Sequence, residues 1–485
     1  MDGLRTRQVT AIVLLCLALR LGFFLAVQPW KPEVERTVLL QDDPLGYHNL
    51  ASTLVKSHRF ATSDIADPNS VRTPLYPLFI AAHYWLLGEK PWLAILSQIV
   101  IGSLTCVVLL VTLWQFFEPR IAMIAAILFA VDPNNILHSN LLYSEIVFVF
   151  FLVIGFYLFS VAVLSSSRTT TLTGFVLYGI SLGVATLVRP ISLFLPLIIV
   201  ALFLVWYRRR IVTGIKYSVI VLFFFAATLS PWLIRNYRTF GSFSLSSVGS
   251  DVVLLYNVAY MEMPKRHQDI NTVRTALIGE AKEMMVWSGQ PPDSAGAFQL
   301  AMFMNQLAAK YVRADPVDFM KRYCLGVLNV LFSPATSAYS RALRLPDAKV
   351  EAKSHVGMTE SIRDFVARKG LVHYIIAVIV LLFSCVVYLG FIVGIVTSWG
   401  KYQNRVLIFC LLTAAYLVLT GALTAYARFR LPATPFALPF AAIGYDWLWR
   451  RLGQDKKTES GEAVRQRADD ENVEMTARTG KISNH

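Results

Sequence analysis

Charge is scarce in this chain. Only 16% of its 485 residues are Asp, Glu, Lys or Arg, and they gather between long apolar runs. A water-soluble chain of this length would divide into several cores under charged surfaces, and that division is not visible. Cysteine is scarcer still. Cys16, Cys106, Cys324, Cys385 and Cys410 are scattered, mostly within apolar runs. Their spacing fits neither a disulfide framework nor a zinc site, so they read as small apolar side chains. No glycine-rich phosphate loop follows a strand, which argues against a nucleotide-binding fold. No heptad, transporter-type internal repeat or nucleic-acid motif is visible. The formal net charge of +14 therefore belongs to loops that face anionic headgroups and the cytoplasm, and no nucleic-acid partner is expected.

What the chain has is hydrophobicity: 55% of residues are hydrophobic and the mean hydropathy is +0.54. Runs of about 20 apolar residues recur, the length that crosses the hydrocarbon of a bilayer. Backbone groups in lipid must be satisfied within their own segment, so these runs are helices. The fold class predicted is an all-α polytopic membrane protein of about 10–12 spans. Ten spans are placed near 8–28, 92–116, 120–137, 145–164, 172–188, 191–207, 214–234, 371–398, 404–424 and 432–449. The run 75–87 reads as a juxtamembrane or re-entrant helix, and 323–335 as a segment that could dip into the membrane. With the N-terminus in the cytoplasm, Arg120, Arg168, Arg208 to Arg210, Lys216, Lys401, Arg405, Arg450 and Arg451 all fall inside, as the positive-inside rule requires. Segments 29–91, 132–144, 189–190, 235–370 and 425–431 then fall outside.

The domain organisation expected is a transmembrane core over 1–234 with its first external loop at 29–91, an external helical cap over 235–370, C-terminal spans over 371–451 and a disordered cytoplasmic tail over 452–485. The cap is predicted from its length, well beyond ordinary loops, and from polar helical stretches at 270–286 and 297–313. His267, His355 and His373, far apart in sequence, read as ordinary surface histidines.

The external segments hold the unusual charges. Asp42 and Asp43 lie side by side just beyond the first span. An acidic pair in a loop is usually solvated surface, but other span ends facing the same side are charged too. Glu145 opens a span, where it either complements the helix dipole or serves chemistry. Arg189, Arg235 with Arg238, and Arg428 with Arg430 stand at three outer span ends against the positive-inside trend. Snorkelling to headgroups is the ordinary explanation. Arginine also suits phosphate, because its planar fork donates two hydrogen bonds at once. A lipid-linked phosphate held by these arginines, with a loop carboxylate as general base, would let an acceptor hydroxyl displace polyprenyl phosphate from a sugar with inversion. A base of that kind typically contributes about 10²–10⁴-fold.

The sequence resembles the GT-C glycosyltransferases, specifically bacterial relatives of the dolichyl-phosphate-mannose protein mannosyltransferases (family 39 type) and of the aminoarabinose transferases that modify lipid A. The stretches that carry the resemblance are Asp42-Asp43-Pro44-Leu45-Gly46-Tyr47-His48-Asn49-Leu50-Ala51, Arg72-Thr73-Pro74-Leu75-Tyr76-Pro77-Leu78-Phe79, Ser144-Glu145, Leu187-Val188-Arg189-Pro190, Pro231-Trp232-Leu233-Ile234-Arg235-Asn236-Tyr237 and Arg428-Phe429-Arg430-Leu431-Pro432. The resemblance implies that Asp43, four residues before Tyr47, is the base, with Asp42 as its neighbour and Glu145 as a second acidic position. It places Arg72 near the phosphate or the sugar. Tyr47, Tyr76, Arg189, Arg235, Arg428 and Arg430 complete the candidate substrate-binding set.

The expected partners are a polyprenyl-phosphate sugar donor, a protein, lipid or glycan acceptor, and membrane lipids. The transferred group is a hexose or a pentose. No cofactor is assigned, and a divalent metal is left open. The protein is expected in a bacterial inner membrane with its active site on the periplasmic or extracellular side. The competing readings are a lipid or glycan flippase and an oligosaccharyl ligase with a lipid diphosphate donor.

Overall fold

The structure, a computed structural model, describes residues 2–290, 297–345, 370–400, 402 and 404–452. Expectations for His355 and for the tail beyond 452 lie outside the described residues. Among those described, the protein is helical and contains no sheet, only an isolated bridge between Ala61 and Pro68.

The helices in chain order are α1 (Asp2–Val27), α2 (Pro32–Val34), α3 (Asp43–Ser57), α4 (Leu75–Leu87), α5 (Pro91–Leu113), α6 (Pro119–Val131), α7 (Pro133–Ser139), α8 (Glu145–Leu164), α9 (Arg168–Val188), α10 (Leu195–Trp206), α11 (Ile211–Phe240), α12 (Val248–Asp251), α13 (Ala259–Arg266), α14 (Ile270–Trp287), α15 (Ala297–Ala314), α16 (Pro316–Phe332) and α17 (Thr336–Ala342). After the described chain resumes come α18 (Leu371–Ser398) and α19 (Asn404–Ala422), then α20 over 434–452. Among the described residues, seven helices are long and apolar enough to cross a bilayer, or eight if the bent pair α6–α7 is one span. The protein is an integral membrane protein.

Two of the ten expected spans differ in form. The run 120–137 is two helices bent by 53°, because Pro133 removes a backbone donor and clashes with the preceding turn. Asp132 sits at the break and caps α7, its side chain accepting from the Asn134 N–H at 2.9 Å. The run 191–207 is helical only over Leu195–Trp206, after a short 3₁₀ turn at Pro190–Ser192. Its proline at the helix start delays the helix. His373, expected on the surface, is buried on α18.

Small residues let the spans close on one another. Gly183 of α9 packs against α11 so tightly that a Cβ there would come 2.6 Å from the Thr228 Cβ. Such close approach is the usual basis of helix association in lipid, where hydrophobicity gives no drive between helices. One large core runs through the bundle, and a second, smaller one, built from Leu254, Val258, Leu277, Met285, Met304 and Leu307 among others, joins α13, α14 and α15.

An arginine lies inside the bundle. Arg20 of α1 is fully buried. Its Nη1 donates to the carbonyls of Cys16 and Ala130, and its Nε to Ser139 Oγ. Ala130 is in the last turn of α6, just before the break.

The connections alternate between two ends of the bundle. Glu118, Arg120, Arg168, Arg208 to Arg210, Arg405 and Arg450 lie at one end, where Arg120 and Arg450 share Asp446 at 3.6 and 2.7 Å. The α3–α4 segment, the α7–α8 turn, the 189–192 turn and the 423–433 segment lie at the other.

Candidate active site

A cleft of about 510 Å³ opens at that second end. Its lining includes Asp42, Asp43, His138, Tyr143, Tyr256, Arg274, Ser333, Ala335 to Ala338, Arg341, Tyr426 and Arg428. Segments far apart in sequence meet there because each span end returns to the same face.

Asp43 is the first residue of α3 rather than a loop residue. A carboxylate there complements the positive end of the helix dipole. Two guanidiniums clamp it, Arg72 Nη2 on Oδ1 and Arg428 Nη2 on Oδ2. Burial alone would push the Asp43 carboxyl up, but Arg428 and Arg72 outweigh it and hold the group well below the usual carboxylate range. Arg428 continues inward, its Nε 3.4 Å from Glu145 Oε1. Glu145 is fully buried at the start of α8 and is also paired with Arg189. Asp43, Glu145, Arg72, Arg189 and Arg428 therefore form one continuous network, three guanidiniums against two carboxylates, which reaches the cleft through Asp43 and Arg428.

Local structure fixes each arm. Asn69 Oδ1 accepts from the backbone N–H of Val71 and Arg72, at 3.1 and 2.8 Å. Thr73 Oγ1 donates to the Val188 carbonyl at 3.0 Å, which ties the Arg72 segment to the end of α9 beside Arg189. Arg72 lies over the Tyr47 ring, 4.7 Å from its centroid, and its Nη1 donates to the Tyr47 hydroxyl at 3.4 Å. That hydroxyl and Ser144 Oγ share a hydrogen bond of 3.3 Å, and Arg189 Nη1 donates to the same Ser144 oxygen at 3.2 Å.

The other expected residues stand apart from this network. Asp42 turns away from Asp43, its side chain 68% exposed and paired with Arg341 at 2.8 Å. Tyr76 is buried beneath the site. Its hydroxyl donates to Gln98 Oε1 at 2.5 Å, and its ring meets Tyr47 edge-on. Arg235 donates to the Asn69 carbonyl at 3.1 Å and lies over the Trp232 ring at 4.7 Å, so it braces the Arg72 segment from behind. Arg430 donates to the carbonyls of Leu331 and Ser333, each at 2.9 Å, and so holds the chain just ahead of the cleft wall.

Several cleft residues were not singled out in the sequence. Tyr143 lies beneath Arg428, 4.6 Å from its guanidinium carbon. Arg274 lies over Tyr256 at 5.0 Å, and Tyr256 meets Tyr426 at 6.3 Å. Tyr143 and Ser144 sit next to Glu145 and were within reach of the motif. Arg274 and Arg341 lie in the long segment after α11, where no span end marks them.

Asp42, Ala335 and Ala425, all in the cleft lining, have φ of 56°, 54° and 58°. Non-glycine residues in that region carry a local cost that surrounding structure must overcome. Among the described residues no group of three or more His, Cys, Asp and Glu side chains stands together as metal ligands would. Both Asp43 oxygens face guanidiniums. The donor set here suits an anion rather than a cation.

Comparison with known proteins bears on the same segments. Residues 71–234 match the family model described as dolichyl-phosphate-mannose-protein mannosyltransferase. Through that stretch, about a third of the chain, the sequence is similar to that family. The matched stretch contains Arg72, Glu145 and Arg189, while Asp43 and Arg428 lie on either side of it. Among solved structures, the archaeal oligosaccharyltransferase AglB from Archaeoglobus fulgidus, in complex with an inhibitory peptide and a dolichol-phosphate, is 14% identical. The match covers 92% of this chain and 52% of that one, with a TM-score of 0.48. ArnT from Cupriavidus metallidurans, bound to undecaprenyl phosphate, is 14% identical over 91% of this chain and 78% of that one, with a TM-score of 0.39. The chain thus spans about half the length of the oligosaccharyltransferase. At these identities and scores neither structure bears on the chemistry. No curated protein matches the chain by sequence.

Proposed function

We propose that the cleft is the active site of an inverting glycosyltransferase that moves a sugar from a polyprenyl-phosphate carrier to an acceptor hydroxyl on the non-cytoplasmic face. The observation that carries this reading is the charge of the network: three guanidiniums and two carboxylates leave one positive charge uncompensated in the network that borders the cleft. A sugar phosphodiester brings one negative charge, which offsets the excess of this network. The orientation follows from the basic end, which the positive-inside rule assigns to the cytoplasm and which lies opposite the cleft.

In the empty site Asp43 is a poor base, because two guanidiniums stabilise its anion. An entering phosphate competes for the same donors. As Arg72 and Arg428 turn to the phosphate, Asp43 loses its compensation and its proton affinity rises. The acceptor oxygen then attacks the anomeric carbon, its proton passes to Asp43, and the bond from that carbon to the phosphate oxygen breaks. Polyprenyl phosphate leaves with one more negative charge than it carried as a diester, and the guanidiniums are in place to stabilise that charge as it develops. Glu145, dry and doubly paired, keeps Arg189 and Arg428 aimed at the cleft.

The test is release of polyprenyl phosphate from a labelled lipid-linked sugar by purified protein in detergent. Release that depends on an acceptor and is lost in Asp43→Asn is expected. Movement of the intact lipid-linked sugar across vesicles without any release would instead make this a flippase and end the proposal.

A further inference from the structure

Helix α16 has its amphipathic pattern turned outward. Val317, Met320, Cys324, Leu325, Leu328 and Phe332 recur at helical spacing and form its exposed face, with Val317 62% and Leu328 50% exposed. Lys321 and Asn329 are the polar residues on that side, and a lysine can snorkel from an apolar surface to water. Asp318 and Arg322 are turned partly inward, where they pair with each other at 3.1 Å. A helix facing water has the opposite arrangement. Helix α14 shows it, exposing Asn271, Thr272, Thr275, Lys282 and Glu283 along most of its length.

The position of α16 says what covers that face. Its Tyr323 hydroxyl donates to the Leu419 carbonyl at 2.8 Å, and its Gly326 is pressed against the Ala422 carbonyl. Both carbonyls are in the last turn of α19, a membrane span that exposes Leu412 and Leu419 along the same side. The apolar face of α16 is therefore continuous with a lipid-facing surface at the level of the cleft. The helix ends where Arg430 holds the Leu331 and Ser333 carbonyls, and the next residues form the cleft wall.

We propose that α16 is an interfacial helix that binds the cleft-side leaflet of the membrane, and that bilayer lipid rather than water or protein covers its exposed face. An apolar face of this kind sinks to the boundary of headgroups and acyl chains. The leaflet then positions one wall of the cleft through Arg430, so a membrane-embedded substrate meets a wall already seated at its own depth. This inference rests on the membrane fold and not on the reaction proposed above, and its test reads depth rather than turnover.

The native cysteines make the test direct. Cys324 and Cys385 are exposed, whereas Cys16, Cys106 and Cys410 are buried. Cys385→Ser leaves a label at Cys324 on α16, and Cys324→Ser leaves one at Cys385 on the span α18. Lys282→Cys with both exposed cysteines replaced by Ser puts a label on the water-facing side of α14. Full-length protein carrying one nitroxide is reconstituted in phosphatidylcholine–phosphatidylglycerol vesicles. Collisions with oxygen, which partitions into lipid, are compared with collisions with a water-soluble nickel chelate. The expected result is a Cys324 label relaxed mainly by oxygen, shallower than the Cys385 label and clearly distinct from the Lys282→Cys label. Relaxation by the nickel chelate to the same extent as at Lys282→Cys would place α16 in water and overturn the proposal. Low accessibility to both reagents would mean that protein, such as a second copy of the chain, covers the face, and would overturn it equally.

Discussion

Asp43 and Glu145 are both acidic, both paired with arginine, and sit in very different surroundings. Asp43 faces the cleft and Glu145 is sealed from it, so the same mutation has different consequences. Asp43→Asn should insert and fold normally yet lose about 10²-fold or more in turnover, the usual worth of a general base; near-normal release of polyprenyl phosphate would reassign the base. Arg189→Gln should act chiefly on stability, because it strips the nearest partner from a fully buried carboxylate, a loss of about 3–5 kcal/mol. A thermal melt in detergent, set beside that of Arg72→Gln, should show the larger drop for Arg189→Gln, since the Asp43 carboxylate left behind by Arg72 is partly solvated. The pH dependence has a definite sign. The Asp43 carboxyl is lowered from 3.8, so its pairing contributes fully at neutral pH. That contribution is lost only as pH falls below 3.8 toward the folded-state value. Between pH 7 and 5, wild type and Asp43→Asn should therefore show parallel stability profiles, and they should converge only in stronger acid.

At the scale of elements, the sequence announced the spans better than their breaks. Hydrophobic length alone located α1, α5, α8, α9, α11, α18 and α19 to within about six residues at either end, because a bilayer leaves the backbone few alternatives. It read 120–137 as one span, since nothing in an apolar count weighs Pro133 against its neighbours. The site was legible wherever a charge interrupts a span end. Asp43, Glu145, Arg189 and Arg428 met that condition, and the structure brings all four together. Arg235 and Arg430 met it too, yet they brace the backbone near the site instead of facing the cleft, a distinction that needs the fold. Arg274 and Arg341 were not legible, because in a long polar segment an arginine carries no positional signal. The close helix contacts give their own expectation. Gly183→Leu should push α11 off α9, and a lower thermal midpoint with slower-running, poorly folded protein on size exclusion would show it. A melt unchanged from wild type would mean that these two spans have slack.

Across the whole molecule, two ends of opposite character face opposite sides of the membrane. One is ringed with arginines, several of them outside any ion pair with an acidic neighbour, and the other holds the cleft. In right-side-out spheroplasts, a cysteine placed at Leu45 should react with an impermeant maleimide from outside. A cysteine at Arg209 should react only after lysis. The reverse pattern would turn the protein over and put the cleft in the cytosol, where the proposed reaction would need a different donor.

The break between α6 and α7 has a further consequence. A helix that stops inside a hydrophobic bundle leaves carbonyls without their next-turn donors, and a guanidinium without a carboxylate has no reason to be in the same place. Arg20 and the carbonyl of Ala130 remove both difficulties at once. Each defect would be costly in a dry interior by itself, and together they form a joint in which each group gives the other a partner. Removing the cation should therefore be costly in a way that removing Pro133 as well partly reverses, since a straight helix has no loose carbonyl to satisfy.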